Sequence, residues 1–232
     1  MIGSLIVIVC LYVYGRRKKV ESVPLLKLFG VAALTGIPCL IAAIVLGRAV
    51  KWLCAEPFLQ RYGEEDLRFL FADNFLVAGL VEEAVKMAAF LLVLLILRDQ
   101  RKPVQVVQLV MSVGIGFDMS EDLLALFGGY DLFRVFVPGH LIFGGIMGLL
   151  FVRAMQAREA GNRTRATLLY VLSYVVPFLV HGLYDFLLNT PWSAVAIFLF
   201  FPLSMIAMTV FIWYYVALVK EEAAKLPASV TA

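Results

Sequence analysis

The most informative residues of this chain are acidic side chains and histidines that lie inside apolar segments. Glu82 and Glu83 fall in one such segment. The other members are Asp118, Glu121 and Asp122 in the next segment, His140 in a third, and His181 and Asp185 in a fourth. A charge in hydrocarbon costs at least ~2.5 kcal/mol per residue. We therefore expect these residues to handle ions, protons or chemistry.

The composition indicates which structural elements must position these ionisable residues. The chain has 232 residues, of which 62% are hydrophobic, and its mean hydropathy is +0.93. Because a spanning helix needs roughly 20 apolar residues, we predict an all-α, polytopic transmembrane bundle of about seven spanning helices, forming one integral membrane domain over residues 1–232. The net charge of +3 is small, so no nucleic-acid partner is expected. The predicted segments are 1–15, 28–47, 74–97, 103–127, 135–154, 166–188 and 192–219.

The distribution of Lys and Arg predicts the orientation. These residues cluster after the first, third, fifth and seventh segments, and the side richer in them is cytoplasmic. We therefore predict an outside N-terminus, a cytoplasmic C-terminus, and a mixed-charge loop between the second and third segments. At 1.5 Å per residue, the ionisable groups then lie about 8–14 Å below the outer surface. They should form a single layer in the outer half of the bilayer.

The first motif joins two glutamates to a lysine. Lys86 follows Glu82 by four residues and Glu83 by three, so on a helix it can reach either carboxylate. One ammonium cannot fully neutralise two carboxylates, so the second needs a proton, a metal or a histidine. We favour an acid/base pair that takes part in catalysis. The alternative is an ion pair that only holds two helices together.

The second motif is a run of acids behind two glycines. Asp118, Glu121 and Asp122 have the spacing of one helical face. Gly114 and Gly116 should let another helix approach closely. The alternative to a functional site is a polar stripe facing a water-filled cavity.

The third and fourth motifs carry both histidines of the chain. His140 follows Pro138 near the start of its segment. His181 and Asp185 share a helical face, so Asp185 should hold one imidazole nitrogen and leave the other free. The alternative for this pair is a purely structural hydrogen bond.

Taken together, the segments EEAVK, GFDMSED, PGHLIFGGIMG and HGLYDFLL resemble the PrsW family of intramembrane proteases. That family is distantly similar to the CAAX-prenyl-protease and bacteriocin-processing superfamily. The resemblance covers about residues 74–190. Asp118 and Asp122 depart from the family pattern, which usually has a small apolar residue and Asn there. The matching positions are Glu82, Glu83, Lys86, Phe117, Glu121, His140, His181 and Asp185.

The resemblance implies a membrane protease of the bacterial plasma membrane. Its partners would be the lipid bilayer and a membrane-anchored protein substrate. It would cut this substrate near the extracytoplasmic side, as in the site-1 cleavage of an anti-sigma factor that starts a stress response.

We expect the reaction to be peptide-bond hydrolysis by an activated water. Glu82 or Glu83 would be the general base and later protonate the leaving amine. His140 and His181 would either bind Zn²⁺ together with Glu82 or hydrogen-bond the water and the developing oxyanion. No HExxH motif is present, so metallo- and glutamic-type mechanisms fit the residues equally well.

Three further motif residues would support this chemistry. We expect Glu121 to complete the polar cluster and Asp185 to orient His181. We expect Lys86 to neutralise part of the charge of the glutamate pair.

Three other functions fit parts of the pattern. A proton- or cation-coupled transporter also uses intramembrane acids and histidines, although no internal repeat is visible. A non-catalytic scaffold or immunity protein would not depend on Glu82. An enzyme of the same superfamily acting on prenylated C-termini would need a site facing the cytoplasm.

Overall fold

The computed structural model describes residues 2–128, 139–190 and 193–227, and these residues are helical apart from short connections. The all-α prediction is confirmed for them. Arg134, Pro138 and the predicted start of the fifth segment lie outside the described residues. The helices are α1 (Ile2–Arg17), α2 (Leu25–Val50), α3 (Glu56–Tyr62), α4 (Leu67–Phe71), α5 (Val81–Ile96), α6 (Pro103–Gly128), α7 (Gly139–Glu159), α8 (Arg163–Asn189) and α9 (Ser193–Ala223).

Two π-helical segments join neighbouring helices into longer rods. Lys51–Ala55 connects α2 to α3, and Ala72–Leu80 connects α4 to α5. The described part of the chain therefore forms seven helical rods, at the places where the sequence predicts apolar segments.

Four of these rods contain a helix long and apolar enough to cross a membrane. They are Leu25–Tyr62, Gly139–Glu159, Arg163–Asn189 and Pro202–Ala223. By comparison, α1 has only 16 residues, fewer than the roughly 20 that a full span needs, while α5 and α6 carry the charged motifs. That all seven rods span the bilayer stays a prediction.

The connection between the second and third rods differs from the expected mixed-charge loop. The second rod is helical for 38 residues, from Leu25 to Tyr62, and it ends at Gly63, whose φ of 89° suits a glycine C-cap. The third rod begins at Leu67, not at residue 74, because the Asp66 side chain caps it by accepting a hydrogen bond from the Arg68 amide at 2.9 Å. Only Gly63–Asp66 remains as a loop.

Loops rich in Lys and Arg meet at one end of the bundle. Ion pairs hold the start of α2 and the connection before it to the connection before α6, and the last part of α7 to the end of α9. The arrangement agrees with the alternation of positive charge along the chain, and the cytoplasmic location of this end stays a prediction. The pairs are Lys27–Asp99 at 3.5 Å, Lys102–Glu21 at 2.5 Å and Arg153–Glu221 at 3.0 Å.

Helix α6 is the central helix, and glycines set its distance from both neighbours. A Cβ added to Gly116 would lie 2.2 Å from the Ala32 carbonyl oxygen of α2, and one on Gly114 would lie 2.4 Å from the His140 carbonyl oxygen of α7. The predicted close approach at these glycines is confirmed. It brings α7, and with it His140, against the acid-bearing face of α6.

The third rod packs equally closely on α8. A Cβ on Gly79 would lie 2.8 Å from the Phe178 carbonyl oxygen, and one on Gly182 would lie 2.6 Å from the ring of Phe75. This contact places the glutamates at the start of α5 beside His181 of α8.

Candidate active site

Four helices deliver their polar side chains to one cluster, as the sequence predicts. The two imidazole rings, of His140 and His181, have centroids 5.0 Å apart. Around them lie carboxylates and one ammonium group. The remaining members are Glu82, Glu83 and Lys86 from α5, Glu121 from α6, and Asp185 from α8.

Lys86 links the glutamate pair to His140. Its Nζ lies 2.6 Å from Glu83 Oε1 and 2.7 Å from His140 Nδ1, and it sits 4.5 Å from the ring centroid of Phe117. An ammonium group only donates hydrogen bonds, so Nδ1 accepts and the proton of the neutral imidazole is on Nε2. That nitrogen lies 2.6 Å from Glu121 Oε2 and donates to it.

His181 is held by the expected partner, Asp185, and by a second one that the sequence did not predict, Glu83. Its Nδ1 lies 2.9 Å from Glu83 Oε1, while Nε2 lies 3.2 Å from Asp185 Oδ2 and 3.8 Å from Glu82 Oε2. The expected contact of Asp185 with one imidazole nitrogen is confirmed, but the other nitrogen is not free, because Glu83 arrives from another helix. With Nδ1 donating to Glu83, Nε2 faces two carboxylates. Such an arrangement requires a proton or a cation between them.

The two adjacent glutamates have different surroundings. The Glu83 side chain is 0% exposed and its Oε1 contacts both Lys86 and His181. The Glu82 side chain is 17% exposed and lines an open groove. Within the described residues, both Glu82 Oε2 and Glu83 Oε2 are buried without a hydrogen-bond partner, so it is the exposure of the side chain and its place in the groove that distinguish the two glutamates. Glu82 is thus the glutamate available to a water molecule or a substrate.

Three residues of the cluster fit a metal ion. One ligand atom each of Glu82, His140 and His181 lies within 4.8 Å of the others. Two histidines and a carboxylate make a known catalytic zinc set, and the unpartnered Glu82 Oε2 supplies a free donor. Glu83 behind His181 Nδ1 matches the carboxylates that hold metal-binding histidines. His140 would exchange its contact with Glu121 for the metal if it ligated through Nε2.

Two cavities adjoin the cluster. A groove of about 700 Å³ opens onto Glu82, Glu121 and Asp185. A cavity of about 30 Å³, which is large enough to hold a water molecule, is lined by both histidines and by Asp118 and Asp122 among others.

The two acids that depart from the family pattern lie beside this cluster. Asp118 and Asp122 are buried and line the small cavity with His140. Asp118 also accepts a hydrogen bond from the Ser4 hydroxyl of α1. The first helix is therefore tied directly to the site, a contact for which the sequence carries no signal.

Other contributors were missed from the sequence. Phe143 stacks on His181 with ring centroids 4.8 Å apart; its position three residues after His140 is a signal that places it on the same helical face. In the groove, Asn189 donates to Asn74 at 2.6 Å. An amide inside an apolar segment is a signal that marks such positions.

Comparison with known proteins finds the same family that the sequence motifs resemble. A family model described as PrsW family intramembrane metalloprotease matches residues 23–219. Protease PrsW of Clostridioides difficile (strain 630) is 26% identical over 126 residues, which cover 50% of this chain and 51% of that protein. Protease PrsW of Bacillus subtilis (strain 168) is 33% identical over 109 residues, 45% of each chain. The chain matches about half the length of these curated relatives. No solved structure matches it significantly.

Proposed function

The chain belongs to the PrsW family of intramembrane metalloproteases, and from that premise we propose that it is an endopeptidase that hydrolyses a peptide bond of a membrane-anchored protein. The observation that carries the proposal is the convergence of Glu82, His140 and His181 where a groove of about 700 Å³ reaches Glu82. A groove of this volume is typical of ligand sites.

Glu82 is the general base in this proposal. It accepts a proton from the attacking water and later gives it to the leaving amine. Glu83 does not have this role, because its Oε1 already contacts Lys86 and His181 and its side chain is fully buried. The choice between the two glutamates, which the sequence left open, thus falls on the one that lines the groove.

The other residues hold the histidines in place. Glu121 fixes His140 through Nε2, Glu83 fixes His181 through Nδ1, and Lys86 bridges Glu83 and His140. A zinc ion held by Glu82, His140 and His181 would act as a Lewis acid on the scissile carbonyl and would lower the pKa of a bound water. Without it, a histidine would donate a hydrogen bond to the developing oxyanion only by releasing its carboxylate partner, Glu121 for His140 or Asp185 for His181.

The proposed substrate is an anti-sigma factor or a similar single-span regulator, cut at site 1 near the extracytoplasmic side. Two features support this. The resemblance to the family implies it, and the groove reaches the end of the bundle opposite the basic loops, where Arg48 and Lys51 line it.

Co-expression with candidate membrane-anchored regulators tests the proposal. Full-length partner should disappear with the wild-type chain and persist with Glu82→Gln. Glu64→Gln makes the same chemical change at an exposed loop position and should behave as wild type. Persistence of every candidate with the wild-type chain, in cells where it is present in the membrane, would count against a protease of this class.

The transporter alternative has less support. Within the described residues, the buried Asp, Glu, Lys and His side chains all lie in or beside the cluster. The buried polar residues nearer the basic end, Gln105, Gln108 and Ser112, are uncharged. A transport path needs polar groups on both sides of its binding site, whereas this chain concentrates its charges in one place.

A further inference from the structure

The groove that reaches Glu82 also contains a cation, Arg48, that has no acidic partner among the residues that the structure describes. Arg48 and Lys51 line it on one side and Asp73 on the other. Lys51 Nζ lies 3.0 Å from Asp73 Oδ1, so these two charges neutralise each other. Arg48 is exposed, and within the described residues it forms no ion pair. It is therefore the one groove cation of the described chain that is free to pair with a ligand.

The separation of Arg48 from the base follows from helix geometry. The third rod runs antiparallel to α2, because Lys51 pairs with Asp73 at one end and Lys27 pairs with Asp99 at the other. Glu82 lies nine residues beyond Asp73, at most about 13 Å along the rod, because the π-helical segment between them rises less per residue than an α-helix. Arg48 lies three residues back from Lys51, about 4.5 Å closer to Glu82. The axial distance between Arg48 and Glu82 is then at most about 9 Å, or up to roughly three residues of extended chain.

The floor and the rim of the groove favour different parts of a peptide. The floor carries Glu82, Glu121 and Asp185, which repel an acidic side chain next to the bond that is cut. Among the described residues of the groove, Arg48 is the cation that can attract an acidic side chain. Arg binds a carboxylate through two parallel hydrogen bonds, so such a pair is directional as well as electrostatic.

The walls suit a peptide backbone. Small residues, Ala43, Gly47 and Ala78, line the groove and leave room for a chain, while Asn74 and Asn189 present amide groups inside it. Their mutual hydrogen bond at 2.6 Å uses one N–H of Asn189 and the oxygen of Asn74. The oxygen of Asn189 can therefore accept from a peptide N–H.

We propose that this groove binds an extended segment of the substrate and that Arg48 pairs with an acidic side chain two to four residues from the cleaved bond. The inference rests on the proposed protease function. It names the class of substrate: a membrane-anchored protein with an Asp or Glu close to its cleavage site.

A peptide pool tests the pairing. The purified full-length chain in lipid nanodiscs is incubated with synthetic peptides of randomised sequence, and the cut positions are read by mass spectrometry. Wild type should show a preference for Asp or Glu at one position two to four residues from the cut. Arg48→Glu should lose it by roughly tenfold or more in kcat/KM and prefer Lys or Arg there. Arg48→Lys should keep the acidic preference.

Arg61→Glu is the matched control. Arg61 is exposed at the end of α3 and does not line the groove, so its reversal should leave the preference unchanged. An identical acidic preference in Arg48→Glu and wild type, or no charge preference in wild type, would overturn the inference. An Arg48 that binds lipid phosphate instead would give this result.

Failure of the protease function itself would look different. In that case wild type cuts no peptide above the level of Glu82→Gln, and the inference falls with the function. A binding measurement separates failure of the protease function from failure of the Arg48 pairing. Glu82→Gln should bind a labelled acidic peptide at least roughly tenfold more tightly than the double variant Glu82→Gln, Arg48→Glu. Equal binding would overturn the inference even if wild type is active.

Discussion

Glu82 and Glu83 are neighbours in the chain but have different surroundings at the site, and we propose a different role for each. Successive residues of a helix point about 100° apart, so only one of the two can face the groove. Glu82 does so, and Glu83 faces Lys86 at 2.6 Å and His181 at 2.9 Å. The first is placed for proton transfer and the second anchors the residues around it.

The two glutamate-to-glutamine variants should therefore fail in different ways. Glu82→Gln removes the proposed base and should lower the rate of cleavage at least about 100-fold without lowering the melting temperature. Glu83→Gln leaves Lys86 buried without its closest carboxylate and should cost about 3–5 kcal/mol of folding stability. Cleavage assays and thermal unfolding in detergent measure both effects. Full activity of Glu82→Gln, or the same loss of melting temperature in both variants, would refute this division.

The contact between Glu83 and Lys86 predicts a strong energetic coupling. Lys86→Met alone leaves the Glu83 carboxylate buried without the ammonium, and Glu83→Gln alone leaves the ammonium without the carboxylate. The double variant removes both charges, so it should be destabilised by less than the sum of the two single changes. Denaturant unfolding of the four proteins gives the coupling. Strictly additive losses would show that the two charges do not depend on each other.

A bound metal should depend on the cluster. We expect about one zinc ion per chain in purified protein, loss of most of it in His181→Ala, and inhibition by a chelator that added zinc reverses. Elemental analysis measures the content, and Glu65→Gln, an exposed loop acid, is the control. A fully active preparation without metal would eliminate the zinc mechanism and leave the glutamate and histidines to act alone.

At the scale of helices, two features position the site. The π-helical segment Ala72–Leu80 comes directly before Glu82, and its Leu80 carbonyl accepts a hydrogen bond from the Tyr174 hydroxyl of α8 at 2.9 Å. Segments of this kind are frequent at functional sites. The second feature is the glycine contact between α6 and α7 at His140. Both lock a site-bearing helix against its neighbour.

A methyl group at Gly114 should disturb the site directly. It would lie 2.4 Å from the His140 carbonyl oxygen, so Gly114→Ala should push α7 away from α6 and reduce both cleavage and thermal stability. Gly30→Ala is the control, because a Cβ at Gly30 meets nothing within 4 Å. That change should be neutral or stabilising by up to about 1 kcal/mol. Equal behaviour of the two variants would show that the close approach is not needed.

At the scale of the whole molecule, the charge distribution and the position of the groove predict the orientation. The basic loops meet at one end, held by pairs such as Lys102–Glu21. The groove cations Arg48 and Lys51 lie toward the other end, beside α3. The positive-inside rule predicts that the first end lies in the cytoplasm and therefore that the groove opens toward the extracytoplasmic side.

Single cysteines test the orientation. In a background without Cys10, Cys39 and Cys54, we expect a membrane-impermeant maleimide to label Glu64→Cys on intact cells but Ala160→Cys only after the membrane is opened. Both positions are exposed and lie in connections at opposite ends of the bundle. The reverse labelling pattern would place the groove in the cytoplasm and favour an enzyme that acts on cytoplasmic substrates.

Much of the site could be predicted from residue types and short spacings. The ionisable residues in apolar segments identified the cluster, and the resemblance to the PrsW family is confirmed by the family match over residues 23–219. The reach of Lys86 to both glutamates and of Asp185 to His181 followed from helix periodicity, and both contacts are present. Local geometry is the same in every helix, so such pairs need no knowledge of the fold.

Contacts between helices were decided by the tertiary structure alone. Lys86 meets His140 across 54 positions and Glu83 meets His181 across 98, so their meeting depends on how α5, α7 and α8 pack. The same packing turns Glu82 toward the groove and brings Arg48 into its wall. The sequence by itself determined which groups are present and which neighbours share a helical face. Close packing between helices set the partners of each group and decided which glutamate faces the groove. The reason is that the spacing of residues along one helix carries no information about which residues of the next helix they meet.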